Sequence, residues 1–584
     1  MDEHKIAIFY CFIFSTFETV LNLFMRRFVT FITLVFLFGN NLFSQEWEWQ
    51  WMSEYGEQNT EYYSPIGFME LSNGDLLAPA IYLSRGSSQE YYYSESPGVM
   101  LFSEDGNLLT QKNFFRPGYC ISGSAQYVFE KENKFYLLTT YSPEHTPGSY
   151  NHFKNYDNPP SDANLSLLKL DSQLNVEEVY DNSWPIDTYE AQNEYEWQLL
   201  PNSFSGNIFL FSAFEDEGDI VGAYWKCESY KSPFQGDDTL FFFRMNFNGE
   251  ILNKKCIGTV GPSKSNNRGG QPLYYRTNHF VATDSYYIFY DSGNGNSNDY
   301  YVQGTARYFD KDFNFIRERY LKGPNCLIND MLYNITIKRS DHNTTYLTTQ
   351  KRNPDNPHHD EDCRLYEIND DINETSDYLE VVNYNERGTD EWDMSCFRHA
   401  VDLKDDGSIY YTYTLHQGYY SNLDSWIVIE CLDSNLDTIS TMYYGLNNDA
   451  LDRVITLKST NDGGIIIIHD ADELESDIGA GFVTKFPASA FNPDNIEEAH
   501  AYGLKYAIAY PNPGGDVMNI RTGLRNAVLS VYDIQGRKIH KQEITDDVTS
   551  VDASNWQSGT YIWKLGIRNE ELGIKEVESG KWVK

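Results

Sequence analysis

Positive charge is scarce in this sequence: 45 Lys and Arg stand against 85 Asp and Glu, a net charge of −40 over 584 residues. A nucleic-acid binder needs a basic surface to displace counterions, so that class is excluded. No long apolar run occurs after residue 44, which excludes a helical membrane channel and leaves no transmembrane span in the mature chain. Catalytic signatures are equally thin. The sequence has no GxSxG elbow, no GxxxxGK[ST] loop, no HExxH, no CxxC and no DxDxDG calcium loop, so it carries no motif of the serine hydrolases, P-loop enzymes, zincins or EF-hands. Cysteine is sparse too: eight residues, of which Cys11 lies in the leader, so an odd seven remain at wide spacings. At least one thiol then stays unpaired within the chain, and no pairing can be assigned.

What is present is a folded, aromatic-rich chain. Hydrophobic residues make up 41%, enough for a sizeable core, and 45 Tyr, 35 Phe and 11 Trp favour pleated strands over helices. The N-terminus reads as an export signal. Met25-Arg26-Arg27 is a positive region, Phe28 to Phe38 an apolar run, and Gly39-Asn40-Asn41 leads to a cut between Ser44 and Gln45. Leu42 replaces the small residue expected before such a cut, and Met25 is a plausible true initiator. A retained N-terminal anchor is the alternative.

Residues 46–490 repeat. A turn built on Asp, Asn or Ser recurs at Leu101–Asn107, Lys169–Asn175, Arg244–Glu250, Tyr308–Asn314, Glu367–Asn373 and Cys431–Asp437, spaced about 58 to 76 residues apart. A second hairpin precedes each, with turns such as Ser72–Asp75, Asp405–Ser408 and Asn461–Gly464. Four strands per repeat predict a β-propeller, and the count predicts seven blades. The seventh lacks a fourth strand. Trp47–Gly56 resembles the fourth strands elsewhere, for example Ser440–Gly445, so the N-terminal segment is expected to close the ring and remove its open edge.

Charge breaks at the other end. Residues 501–584 hold 11 basic and 10 acidic residues, whereas residues 45–500 hold 31 and 72, which marks a domain boundary. Ala527–Asp533 and Arg537–Ile544 alternate about a Gly536 turn, and Thr560–Ile567 supplies a further strand. Tyr510-Pro511-Asn512-Pro513 with Asp516, Val531-Tyr532-Asp533 with Gly536-Arg537, Ser558-Gly559-Thr560-Tyr561, and Lys581 to Lys584 follow in order. This series resembles the type A C-terminal sorting domain of Bacteroidetes type IX secretion. Trp556 where Leu is usual and the long loop Asn569–Ser579 are departures. The resemblance implies interaction with the type IX secretion machinery, transport across the outer membrane, removal of this domain and a secreted or outer-membrane-surface location.

The expected organisation is therefore all-β: leader 1–44, seven-bladed propeller 45–490, linker 491–506, and an Ig-like sandwich sorting domain 507–584. In a four-stranded meander the second connections share one face, and the long ones here are Ser84–Pro97, Ser142–Ala163, Glu215–Asp238, Asp291–Asp299, Lys351–Asp362, His416–Asp424 and Asp470–Gly479. That face is the expected ligand site, with Tyr91, Tyr92, Tyr93, Tyr150, Tyr156, Tyr224, Trp225 and Tyr230 as stacking residues. Pro357–Cys363 packs several metal-ligating types together but lacks metal-site spacing. No metal site, catalytic residue or cofactor is assigned, and only weak calcium binding by clustered acids is left open. Glu215-Asp216-Glu217 is the foremost acidic cluster, though a solvated loop is the plainer reading. The sequence thus points to a secreted glycan- or protein-binding display module. The alternative is a polysaccharide-degrading enzyme, a glycoside hydrolase or lyase, on the same scaffold.

Overall fold

The structure is a computed structural model. It describes residues 49–584 except 56–60, 86–92, 117–118, 122–125, 144–161, 186–207, 227–238, 260–279, 292–304, 323–335, 340–343, 353–360, 388–391, 396–399, 405, 417–424, 446–449, 474–478, 492–503, 511, 513, 526 and 570–572. The leader, and the metal-ligand-rich residues 357–360, lie outside the described residues.

The described body is all-β, and its strands group into four-stranded antiparallel meanders. The first unit runs Glu61–Pro65, Leu76–Arg85, Tyr93–Phe102 and Leu108–Asn113. The second pairs the short strands Tyr119–Ile121 and Tyr127–Lys131 with Lys134–Pro143, followed by Asp162–Leu170 and Val176–Pro185. The third holds Ile208–Asp216, Asp219–Lys226, Thr239–Met245 and Ile251–Thr259. The fourth spans Phe280–Lys322 and the fifth Thr336–Arg387. The sixth has Trp392–Ser395 and Val401–Leu403 beside Ile409–His416, Ser425–Leu432 and Thr438–Tyr444. The seventh starts with Ala450–Ser459, Ile465–Glu473 and Gly479–Phe486. Its fourth strand is Trp49–Tyr55, antiparallel to Gly479–Phe486 with Trp49 opposite Lys485 and Tyr55 opposite Gly479. The first and last strands of the body thus meet in one sheet.

Apolar cores between neighbouring sheets put these units in cyclic order. Leu77 and Val99 pack with Leu137 and Leu168, Leu138 and Leu165 with Leu210 and Phe243, and Phe242 with Phe280 and Phe309. Ile288 and Tyr308 then meet Leu347 and Ile368, and one large core carries Tyr346 and Leu365 through Tyr411 and Ile429 to Val454 and Ile467. The circle closes where Ile466, Ile468 and Val483 meet Leu76, Ala78 and Met100. Each such side chain contributes about 1.5–3 kcal/mol when fully buried. The third strand of the sixth unit, SWIVIECL, is buried at every position because it has neighbours on both faces. Outer strands face water on one side and alternate, as in Leu108–Asn113. The result is propeller-like.

One departure is that the fourth and fifth units share a sheet. Tyr320–Lys322 runs parallel to Tyr378–Glu380. Arg319, 1% exposed, secures this junction by donating to the carbonyls of Ser376, Asp371 and Tyr378 at 3.1, 3.0 and 2.8 Å.

The repeated turn has a single physical design. In Asp171–Asn175 the Asp171 carboxylate accepts the N–H groups of Gln173 and Asn175, both at 2.8 Å. The Asn175 side chain and these backbone donors hold the Asp171 carboxyl below the usual range. The fourth turn residue is left-handed whether it is Gly106, Leu174, Phe313 or Leu436. Leucine and phenylalanine are accommodated there because their side chains enter the cores between units, at 0%, 6% and 0% exposure for Leu174, Leu436 and Phe313.

The C-terminal unit is a β-sandwich. One sheet holds Ala507–Tyr510, Val517–Thr522 and Val548–Asp552; the other holds Lys538–Glu543, Ala527–Asp533, Thr560–Asn569 and Gly573–Val583. It does not stand apart from the body. Tyr443 and Lys505 exchange reciprocal backbone hydrogen bonds of 2.9 Å, which extends the outer edge of the sixth unit. Lys505 Nζ lies 4.4 Å from the Trp426 ring centre, and Leu504, Tyr506 and Ala507 join the apolar core of the sixth unit.

Two outcomes test this architecture. Deleting residues 47–56 should lower the melting temperature by about 5 °C or more, since it strips the seventh sheet of a strand; unchanged melting contradicts closure by the N-terminal segment. His469 lies fully buried against Phe482, with ring centres 4.9 Å apart, and burial drops its pKa to about 3. Its contribution is fully present above the unfolded pKa of about 6.5 and is lost as pH falls toward 3, at about 1.4 kcal/mol per pH unit. His469→Phe should therefore gain about 2–3 kcal/mol relative to wild type between pH 8 and pH 4.5 by denaturant titration, and a pH-independent difference contradicts this.

Candidate functional site

Of the expected stacking residues, Tyr91, Tyr92, Tyr150, Tyr156 and Tyr230 lie outside the described residues. Tyr93 and Trp225 are placed only as strand positions, opposite Arg85 and Phe209. Tyr224 is a buried strand residue rather than a loop residue. It is 0% exposed in strand Asp219–Lys226 and stacks on Phe241 at 5.2 Å. The reason is local: Glu217 and Gly218 are left-handed at φ 53° and 86°, so Asp216–Asp219 is a tight hairpin turn. The acidic run reads as a loop in the sequence, but the chain reverses there and Tyr224 continues into the next strand.

That turn also answers the acidic cluster. Asp216 Oδ2 accepts from Tyr287 at 2.5 Å, Arg244 at 3.1 Å and Lys311 at 3.0 Å. Arg244 reaches Glu217 and Asp219 as well, each at 3.4 Å. Tyr287 is pushed well above its ordinary pKa, first by burial and then by its bond to Asp216. A carboxylate with three donors on one oxygen is a clamp between the third and fourth units, not a free base.

The described residues form a cavity at the centre of the ring. It has a volume of about 390 Å³ and is lined by innermost segments of five units, including Phe68, Gln126, Tyr127, Phe214, Asp402 and Lys458. These segments lead directly into the first turns of their units, so the cavity sits at the short-turn end rather than among the long connections. Gln126 is 3% exposed; its Nε2 donates to the Ala80 carbonyl at 3.1 Å, while its Oε1 is buried without a partner. Asp402 accepts from Ser459 N at 2.7 Å, Ser459 Oγ at 2.8 Å and Leu403 N at 3.0 Å. Burial nonetheless lifts its carboxyl above the usual range, outweighing those bonds and the charge of Lys458. Among the described residues no cluster of three metal-ligating side chains occurs. Among the described residues, Cys431 is a free, buried thiol, Cys256 is free and exposed, and Cys363 is buried; burial pushes the Cys431 thiol up to about 11.

The motif residues of the C-terminal domain are mostly fold-determining. Tyr510 and Tyr561 are core residues at 4% and 7% exposure. Pro511 and Pro513 lie outside the described residues, but Asn512 between them donates to Lys581 O at 3.0 Å and accepts from Val583 N at 2.9 Å, tying the opening to the last strand. Asp533 accepts from Gln535 N and Arg537 N, both at 2.9 Å, and from Arg537 Nε at 2.6 Å, around the left-handed Gly536. Gly559 and Lys584 exchange backbone hydrogen bonds. The Lys584 ammonium donates to the carbonyls of Ala553, Ser554 and Trp556 at 2.7, 3.1 and 3.1 Å, and pairs with Asp516 at 3.2 Å.

Removing that ammonium leaves three carbonyls without their donor. Lys584→Met should cost about 1–3 kcal/mol of local stability, read as faster hydrogen exchange across Thr560–Asn569. Exchange identical to wild type contradicts the role assigned to Lys584.

Comparison with known proteins bears on these two regions unequally. Residues 508–577 match the family described as "Secretion system C-terminal sorting domain". No curated protein matches the chain. Among solved structures, PorZ, a bacterial surface component of the type-IX secretion system of Porphyromonas gingivalis, is 7% identical, covering 90% of this chain and 100% of its own at a TM-score of 0.19. Drosophila Semaphorin 2a is 8% identical, with 88% and 96% coverage and a TM-score of 0.38. The polysaccharide lyase Uly1 is 10% identical, with 73% and 90% coverage and a TM-score of 0.36. Similarity at this level assigns no activity. The C-terminal match does assign a destination: residues 508–577 are a type IX C-terminal sorting domain, and the protein that carries them is secreted or held at the cell surface.

Proposed function

We propose that the body is a ligand-binding module of a secreted or surface-held protein, and that it takes a saccharide-sized polar molecule in the central cavity. The observation that carries this reading is the cavity itself: about 390 Å³, with a buried amide oxygen of Gln126 lacking a partner and a carboxyl of raised pKa at Asp402. That volume falls in the roughly 300–1,000 Å³ range of small-molecule sites. Phe68, Tyr127 and Phe214 add aromatic surface against which a sugar ring can stack. Gln126 Oε1 needs a donor, and a hydroxyl supplies one.

The hydrolase reading needs more than the described lining supplies. Glycoside hydrolysis uses two carboxyl groups about 5 Å or about 6.5–9.5 Å apart. Asp402 is the sole acidic residue among those lining the cavity. One carboxyl can orient a ligand but cannot also act as the acid to its own base. The long connections, with Tyr91, Tyr92, Tyr93, Tyr150, Tyr156 and Tyr230, remain a second proposed contact surface for a larger glycan or a protein, and the seven-bladed count and the 45–490 and 507–584 boundaries are part of the same proposal.

The test is calorimetric titration of the full chain with a panel of neutral mono- and oligosaccharides, beside a turnover assay on the matching polysaccharides. Saccharide binding that weakens about tenfold in Gln126→Leu is the expected result. Turnover abolished by Asp402→Asn would replace the binding reading with the enzymatic one. Binding indifferent to Gln126→Leu would remove the cavity from the account.

A further inference from the structure

The junction between the sixth unit and the sorting domain contains a second cavity, of about 420 Å³. Trp426 lines it from the body. Lys505, Asn512, Trp563, Gly580 and Lys581 line it from the C-terminal domain and the segment leading into it. Three features of this cleft point to a ligand.

The first is an unmet donor. Trp563 is 4% exposed, and its indole Nε1 is buried with no hydrogen-bond partner. A buried N–H in that state is unfavourable, and a bound acceptor removes the penalty. The second is charge. The lining holds Lys505 and Lys581 and no acidic residue, although the segment that supplies both lysines, 501–584, carries 10 acidic residues beside its 11 basic ones. Asn512 has both side-chain groups committed, to Lys581 O and Val583 N, so it shapes the wall rather than competing for a ligand. The third is the close seat that glycine gives the indole, which fixes where its N–H lies. Gly580 faces Trp563 across the strand pair, and a Cβ there would lie 2.5 Å from Cζ2 and 2.8 Å from Nε1 of the indole. Any larger residue would push the indole out of place.

We propose that this cleft binds a saccharide bearing a carboxylate, of the uronic-acid class. The carboxylate accepts from the Trp563 N–H and lies between the Lys505 and Lys581 ammonium groups. Lys505 is already positioned for this role, because its backbone is bonded to Tyr443 and its side chain rests on the Trp426 ring. The size of the cleft matches a sugar acid rather than a bare inorganic ion. The site exists only while body and sorting domain are docked, so it belongs to the full chain. It is independent of the central cavity.

The experiment is calorimetric titration of the full chain at low salt with D-galacturonate, D-galactose and inorganic phosphate. Galacturonate should bind at least about tenfold more tightly than either of the others. Lys581→Gln, an exposed substitution that leaves the fold intact, should weaken galacturonate about fivefold, and Trp563→Phe should weaken it by a similar factor while keeping a ring in the core. The affinity lost in Lys581→Gln should be lost by the same factor in a Gln126→Leu background, which separates this site from the central one. Equal affinity for galacturonate and galactose, equal affinity for phosphate, or indifference to Lys581→Gln would each overturn the proposal.

Discussion

Everything in this molecule depends on apolar sheet faces meeting other apolar sheet faces around a circle. No single four-stranded unit can bury both of its faces; each is covered by a neighbour before and a neighbour after. The cores run unit to unit, from the one that holds Leu77 and Leu137 to the one that holds Ile429 and Ile467, and return through Ile466 and Ile468 to Leu76 and Ala78. A chain with two free ends would expose a face at each. Trp49–Tyr55 removes the problem by completing the last sheet with the first strand. Cooperativity follows, because loosening the closing sheet uncovers both the first and the seventh units.

The same logic reaches the outer rim, where the sorting domain is docked. Outer strands elsewhere face water, and Leu108, Leu109, Val176 and Val179 are exposed on them. The outer strand of the sixth unit differs. Met442, Tyr443 and Tyr444 are buried, and Lys505 adds itself to the edge through Tyr443. The acidic body and the nearly neutral tail therefore share one apolar core at this point, although their charge composition marks them as separate units. Removal of the tail would bare both an unpaired strand edge and an apolar patch on the sixth unit.

Much of this was legible in the sequence because it rests on short-range chemistry. An Asp or Asn that caps its own turn is a local device, so Asp171, Asp310 and Asp433 mark their hairpins directly, and Asp533 does so in the tail. The closing strand was legible through its likeness to other fourth strands. The sorting domain was legible because its motif residues are those its turns and strand ends require. The Asp216–Asp219 hairpin was misread because an acidic run gives no sign that Glu217 takes a left-handed backbone. Asp216 then proved to be a clamp rather than a free acid. The central cavity was invisible for another reason: Phe68, Gln126, Phe214 and Asp402 come from four units, and no spacing along the chain connects them. Docking of the tail was hidden likewise, since it depends on where Lys505 meets Tyr443 and Trp426.

The circle can be tested at its seam. Ser53 lies opposite Gly481 in the closing pair, and a Cβ built at Gly481 meets nothing within 4 Å. A Ser53→Cys, Gly481→Cys double variant should form an intramolecular disulfide under mild oxidation, since paired strand positions fall within disulfide reach. The account predicts a cross-linked peptide joining residues 53 and 481 in monomeric protein. Protein that stays reduced at these positions, or links only between chains, would show that the first and last strands of the body do not meet in one sheet.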